Sequence, residues 1–200
     1  MLNKPTALAM TAAPLREALQ QYGIDFAALA HRAGLDPGLL TEPNARYPAA
    51  ALQKLWGLSA AESGDPLFGF RVGSLVRPGT FHALGLGIVS STSVLVALNR
   101  IQRYSSIVST NGRLDLLHQD GLVGLETRLD QMSVMPTIHC VDALVVGLCR
   151  IREKHMFGGV RMTERFARLA CAVAVVDLRG GVSIGMFEFA RRFGLGWIYE

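Results

Sequence analysis

One change of period constrains this chain more than any other feature. Residues 113–130 read RLDLLHQDGLVGLETRLD and alternate with the two-residue period of a strand. Leu114 and Leu116 face one way, Asp120 and Gly121 supply a turn, and Val123, Leu125, Thr127 and Leu129 alternate on the return. On either side the spacing is helical. Val94, Ala97, Leu98, Ile101, Tyr104, Ser105 and Val108 form one stripe behind a serine-rich start, and Asn99, Arg100, Gln102, Arg103 and Ser106 take the polar side. From Thr137, Ile138, Val141, Leu144, Val145, Leu148 and Ile151 form a second stripe, closed by Arg150, Arg152, Glu153 and Lys154. A hairpin between amphipathic helices must bury its apolar face against them, which predicts an α+β fold.

The preceding half of the chain is helical text on short loops. Leu15, Leu19, Tyr22, Phe26, Leu29 and Ala30 recur at helix spacing, broken at Gly23 and Asp25, so two short helices are expected. Gly34 then stops a helix, Asp36 and Pro37 open another turn, and TEPNARYP is a loop. PAAALQKLWGLSAAE follows as a longer helix, ending at SGDP. Next comes LFGFRVGSLVRPGTFHALGLGIV, which reads as a short helix or turn and then a tight, glycine-rich passage. The predicted arrangement is a helical N-terminal subdomain, followed by a mixed region with a β-hairpin packed on amphipathic helices. Residues 1–13 are expected as a flexible N-terminus, 14–155 as the domain, and 156–200 as a divergent or truncated tail.

Composition narrows the class. Two hundred residues, 50% of them apolar and 18% charged, suit one folded domain, which can bury about 70% of its unfolded surface. No apolar run reaches the ~20 residues of a membrane span, and the start of the chain lacks the apolar block of a secretory signal. A soluble, cytoplasmic chain is expected, with no membrane partner. Cys140, Cys149 and Cys171 sit among apolar neighbours and read as buried reduced thiols. The net charge of +4 comes from arginines spread along the chain with one concentration in the last third, a weak hint of nucleic acid.

Motifs that could carry chemistry fail on their own terms. GLGIVS at 85–90 approximates a dinucleotide fingerprint, so a nucleotide-binding enzyme using a Gly85/Gly87 turn is one reading. The third glycine is absent, however, and Pro78 and Gly79 break the strand that should precede it; a turn feeding a serine-capped helix fits better. ALAHRAGLDPGLL at 28–40 has helix-turn-helix spacing, which would make a short DNA-binding protein. No basic residue lies between Leu35 and Arg46, so the would-be recognition helix is short and slightly acidic. FEFARRFGLG at 187–196 repeats that spacing with only WIYE after it. The five histidines are scattered with no metal-ligand spacing, and His139 beside Cys140 cannot act as a dyad because adjacent helix residues point apart. No catalytic, metal-binding or DNA-binding residue, and no cofactor, is assigned.

The order of these elements carries a resemblance. GDPLFGFRVGS at 64–74, PGTFHALGLGIVSSTSVLVAL at 78–98 and the helix end RYSSIV, preceded by YGIDFAALAHRAGLD, resemble the N-terminal regulatory domain of AraC-type bacterial transcription factors, of the arabinose-binding type. The similarity covers about residues 14–155. It implies a domain that binds a small-molecule effector and dimerises, followed in relatives by a linker and a C-terminal domain with two helix-turn-helix units. This chain ends at residue 200, so that second domain is expected to be missing, and promoter DNA becomes a partner only if the helix-turn-helix domain is supplied elsewhere. A homodimer that senses its effector without catalysis is the expected form.

On its own physics the central region makes a concave apolar surface with polar groups at its mouth. Arg71, His82, Arg103 and Tyr104 lie at the ends or edges of apolar stripes and are the candidate effector-binding residues. An arginine would suit a carboxylate effector, such as an amino-acid derivative, through its forked geometry. A solvated helix face is the other reading of Arg103, and ordinary core packing that of Tyr104.

Overall fold

The computed structural model describes residues 4–119, 122–127 and 132–155. It is an α+β fold. Strand β1 (Thr6–Leu8) and a 3-10 turn at Ala9–Ala12 lead into α1 (Ala13–Gln21), with Pro14 in its first turn. The expected flexible start is instead built into the core: Ala9 and Ala12 are fully buried, since their small side chains let this segment press against its neighbours. The break at Gly23 appears as read. Asp25 caps α2 (Phe26–Ala33) by accepting from the amide of Ala27 at 2.8 Å, and Gly34 ends it in the left-handed region at φ 82°.

Asp36 then caps a 3-10 turn at Pro37–Thr41. Part of the expected TEPNARYP loop is β2 (Arg46–Pro48), antiparallel to β1 with Ala7 opposite Tyr47. Arg46 reinforces this pairing, donating from Nε to Thr6 Oγ1 at 2.7 Å and from its guanidinium to the carbonyl of Ile107 at 2.9 Å. Helix α3 (Ala49–Ser63) buries Leu52, Leu55, Trp56 and Ser59, and ends at a left-handed Gly64.

The glycine-rich passage is more helical than its text suggests. Helix α4 (Phe68–Ser74) precedes a 3-10 turn at Pro78–Phe81 and then α5 (His82–Val89), which runs straight through Gly85 and Gly87. The expected turn is therefore a helix interior. A Cβ on Gly85 would lie 1.7 Å from the carbonyl oxygen of Pro78, so glycine is required there for close approach and not for a bend. Ser93 caps α6 (Val94–Val108), accepting from the amide of Val96 at 3.2 Å. The hairpin forms as β3 (Leu114–Gln119) and β4 (Leu122–Thr127), with Leu116 opposite Leu125. Asp120 and Gly121, the expected turn pair, and Leu129 lie outside the described residues. Helix α7 (Ile138–His155) closes the described fold.

Two apolar clusters result. The first joins α1 to α4 around Leu15, Leu19, Leu55 and Phe68, all fully buried. Phe68 is its hub, with ring centroids of Tyr22, Trp56 and His139 at 5.9, 6.4 and 6.3 Å. The second is smaller and joins α5 to α6 through Phe81, Leu84, Ile88, Ala97, Leu98 and Ile101. Helix α7 reaches both, and it docks on α4 by close approach of small residues. A Cβ on Gly69 would meet the His139 carbonyl at 2.5 Å, and one on Gly73 would meet Val146 Cβ at 2.7 Å. The face turned to α4 is thus His139, Asp142, Ala143 and Val146. The apolar stripe read from the sequence is turned elsewhere, with Ile138 and Leu144 exposed and Val141, Val145 and Leu148 half-buried.

Candidate functional site

Between the two clusters lies a cavity of about 270 Å³. Its wall is assembled from both: Leu52, Trp56 and Val72 from α3 and α4, Phe81, Leu84 and Ile88 from the passage after Arg77, and Ile101, Ser105 and Val108 from α6. Helix α7 adds Val141, Leu144, Val145 and Leu148, part of the stripe that sequence spacing assigns to a core. An amphipathic helix signals only that a face is apolar, not whether that face meets protein or a void. Core candidates and cavity linings therefore read alike in sequence.

The polar atoms of the wall are mostly engaged. Gln53 accepts from the amide of Thr137 at 2.8 Å and donates to Cys140 Sγ at 3.5 Å, which ties α3 to the start of α7. Burial pushes the Cys140 thiol up, so it stays protonated and is a poor nucleophile. Asn111 makes a two-point clip with Val134, donating from Nδ2 to its carbonyl at 2.7 Å and accepting from its amide at 3.0 Å. These two amide side chains hold residues 134–137 beside the cavity. Thr11 donates to the Leu8 carbonyl at 2.6 Å, and Thr80 Oγ1 accepts from the Arg77 amide at 3.1 Å. Among the described lining residues, Arg113 is the one charged side chain.

None of the four sequence candidates lines this cavity. Arg71 is exposed and pairs with Asp65, which also accepts from the Tyr22 hydroxyl at 2.5 Å. Arg103 is exposed and lies over the ring of its neighbour Tyr104 at 5.5 Å, and Tyr104 is itself exposed where core packing was expected. His82 begins α5 with φ 53°, a strained backbone for a residue with a Cβ. Arg103 and Tyr104 are brought together, but on the outside of α6. The lining residues missed are mostly apolar, with a few polar ones such as Gln53 and Asn111 and with Arg113 just before β3, for which sequence offers no signal beyond an arginine beside an alternating run.

The Tyr22–Asp65–Arg71 group forms a polar edge to the first cluster. Burial pushes the Asp65 carboxyl up, but hydrogen bonds from Tyr22, Arg71 and the Leu67 amide outweigh it and hold it below its ordinary range. Burial and the Asp65 hydrogen bond push the Tyr22 hydroxyl up to about 12. Burial holds the nearby His139 below its usual value, with Asp65 partly opposing.

The competing chemical readings meet the structure badly. Gly85 and Gly87 lie inside helix α5 and not in a turn before a helix, and the Gly87 carbonyl accepts from Arg100 and from the Ser91 hydroxyl, the latter at 2.7 Å, so these glycines do not form the phosphate-binding turn of a dinucleotide fingerprint. Residues 28–40 comprise the end of α2 and a 3-10 turn, with no second helix to enter a groove. No group of three or more His, Cys, Asp or Glu among the described residues is placed to hold a metal ion. No helix among them is long and apolar enough to cross a membrane.

Against descriptions of known families, residues 23–183 match the arabinose-binding domain of AraC transcription regulators, N-terminal. The chain belongs to that family. An AraC-type arabinose-binding domain is a ligand-sensing regulatory unit, and the match extends past the boundary expected at residue 155. A search of curated proteins gave no significant match.

Proposed function

We propose that this AraC-type domain senses a small-molecule effector in the cavity between its two clusters and passes the result to transcription in a bacterial cytoplasm. The observation that carries the reading is the cavity itself. Elements from both halves of the fold wall it, so an occupant bridges α3, α6 and α7 and changes how firmly they hold together. A ligand that binds only the folded chain stabilises it by about 2.7 kcal/mol at a hundredfold excess over its Kd. For a chain of this length that amounts to a rise of roughly 5–10 °C in melting temperature. A screen of metabolites by thermal melting tests this, with Val145→Phe as the control that fills the cavity. Compounds that stabilise the native chain and not the variant support the reading, and compounds that stabilise both equally sink it.

Dimerisation belongs to the same proposal. Tyr104 and Ile107, three residues apart on one face of α6, are 42% and 43% exposed, which leaves two large side chains with apolar surface open on that face. A second copy seated there would bury them and place two cavities on either side of a shared helix pair. Sedimentation velocity should give a dimer that Ile107→Glu converts to monomer; a native monomer at tens of micromolar removes this part of the proposal. Promoter DNA enters as a partner through a helix-turn-helix domain acting with this one.

A further inference from the structure

The polar atoms of the cavity are distributed unevenly, and that distribution names a ligand class; the argument rests on the sensing role just proposed. We propose that the cavity takes an apolar monocarboxylate, with its hydrocarbon body against Val72, Phe81, Leu84, Ile88, Val145 and Leu148 and its carboxylate on Arg113.

Most of the polar side chains in the wall already serve the protein, as the bonds of Thr11, Gln53, Thr80 and Asn111 show. Apart from the indole N–H of Trp56, the spare donors among the described residues stand in one short stretch. Among the described residues Ser105 makes no side-chain hydrogen bond, Ser109 only accepts, from the Asn111 amide at 3.1 Å, and Arg113 engages a single nitrogen. Ser105 and Ser109 stand four residues apart, joined by the bond from the Ser109 amide to the Ser105 carbonyl at 2.9 Å, so both lie on one side of the helix end. Arg113 follows four residues later. Away from this stretch the wall is hydrocarbon apart from the bonded side chains of Thr11, Gln53, Thr80 and Cys140 and the indole of Trp56.

That asymmetry disfavours a sugar. Each hydroxyl of a pentose buried without a partner costs about 1–3 kcal/mol, and the wall has too few free groups to satisfy a ring decorated on every side. It suits a molecule polar at one end. The Arg113 side chain is 74% exposed, so its charge is not stripped of water, and among the described residues its ion pair is a single 3.2 Å contact from Nε to Asp115. Its two terminal nitrogens remain for a forked bond to a carboxylate, a geometry that arginine supplies and lysine does not. The site wall therefore selects for apolar body and anionic head separately.

Isothermal titration of the full chain with octanoate, octan-1-ol and L-arabinose tests this. Octanoate should bind at least tenfold tighter than octan-1-ol, and L-arabinose not measurably. Arg113→Gln should abolish the preference for the acid and leave the alcohol's affinity unchanged, which also shows that the variant is folded. Val145→Phe should weaken both eight-carbon probes. Octanoate binding that is indifferent to Arg113→Gln overturns the head-group assignment. Arabinose binding that Val145→Phe blocks overturns the ligand class while leaving the sensing role intact, and silence from all three probes overturns the ligand class as well. The sensing role fails separately, when no compound in the wider metabolite screen stabilises the chain in a Val145-dependent way.

Discussion

The two apolar clusters of this domain are built from similar residues and end in different states. Around Phe68 the side chains close on one another: Leu15, Leu19 and Leu55 are fully buried, and α7 comes close enough to α4 that its backbone sits where a glycine Cβ would be. Around Phe81 and Ile101 the same kind of side chain stops short and leaves about 270 Å³ unfilled. Small residues account for the difference. Where Gly69, Gly73 and Ala143 stand, helices meet at backbone distance; where Leu84, Val145 and Leu148 stand, their bulk holds helices apart without filling the gap. The first region carries stability, and the second gives up packing to make room.

Adding volume to each region should separate them. Alanine normally improves a helix over glycine by about 0.5–1 kcal/mol. At Gly73 the sign should reverse, because the new methyl would meet Val146 Cβ at 2.7 Å and the Ala143 carbonyl at 2.9 Å. Overpacking of that kind costs typically about 1–3 kcal/mol. At Gly57, on the exposed side of α3 with nothing within 4 Å of the added atom, the ordinary gain should appear. Urea unfolding of Gly73→Ala, Gly57→Ala and Val145→Phe makes the comparison. The much larger addition at Val145 should cost less than the single methyl at Gly73. If Val145→Phe is the more destabilising, the second region is as tightly packed as the first and the distinction collapses.

The same contrast explains what could be read from sequence. Capping and turn residues act locally, so the break between α1 and α2, the stop at Gly34 and a serine cap ahead of α6 are all legible. The β1–β2 pair was not, because three-residue strands carry no periodic signal. Helix α5 was missed because glycines that serve close approach look like glycines that serve a turn. The buried face of α7 was misassigned for a related reason: Ala143 and Gly147 are small and weigh little in a hydrophobic pattern, although they mark the tighter contact. The sequence pattern points to polar and charged groups at stripe edges, whereas the cavity is lined largely by the stripes themselves. A void is a long-range consequence of how elements fail to meet, and no local pattern records it.

The smallest expected effect is a pH dependence confined to the packed region. His139 packs on Phe68 and is held below its ordinary 6.5, so the native state favours the neutral ring. That contribution is present above pH 6.5 and is lost as pH falls below it. Asp65, held below 3.8, contributes above that value and loses its contribution at still lower pH. Tyr22 runs the other way. Its hydroxyl is raised from 10 to about 12, so its contribution is complete below pH 10 and disappears as pH rises towards 12. Stability should therefore be flat from about pH 6.5 to 10 as far as these groups decide it, and fall on both sides. His139→Phe keeps a ring against Phe68 and should flatten the limb between pH 6.5 and 4, and Tyr22→Phe should flatten the alkaline limb. Neither should move the affinity of the cavity for its ligand, since neither residue lines it. Were His139→Phe to weaken ligand binding and stability in parallel, the two regions would be one cooperative unit, and the packed cluster would be part of the sensor.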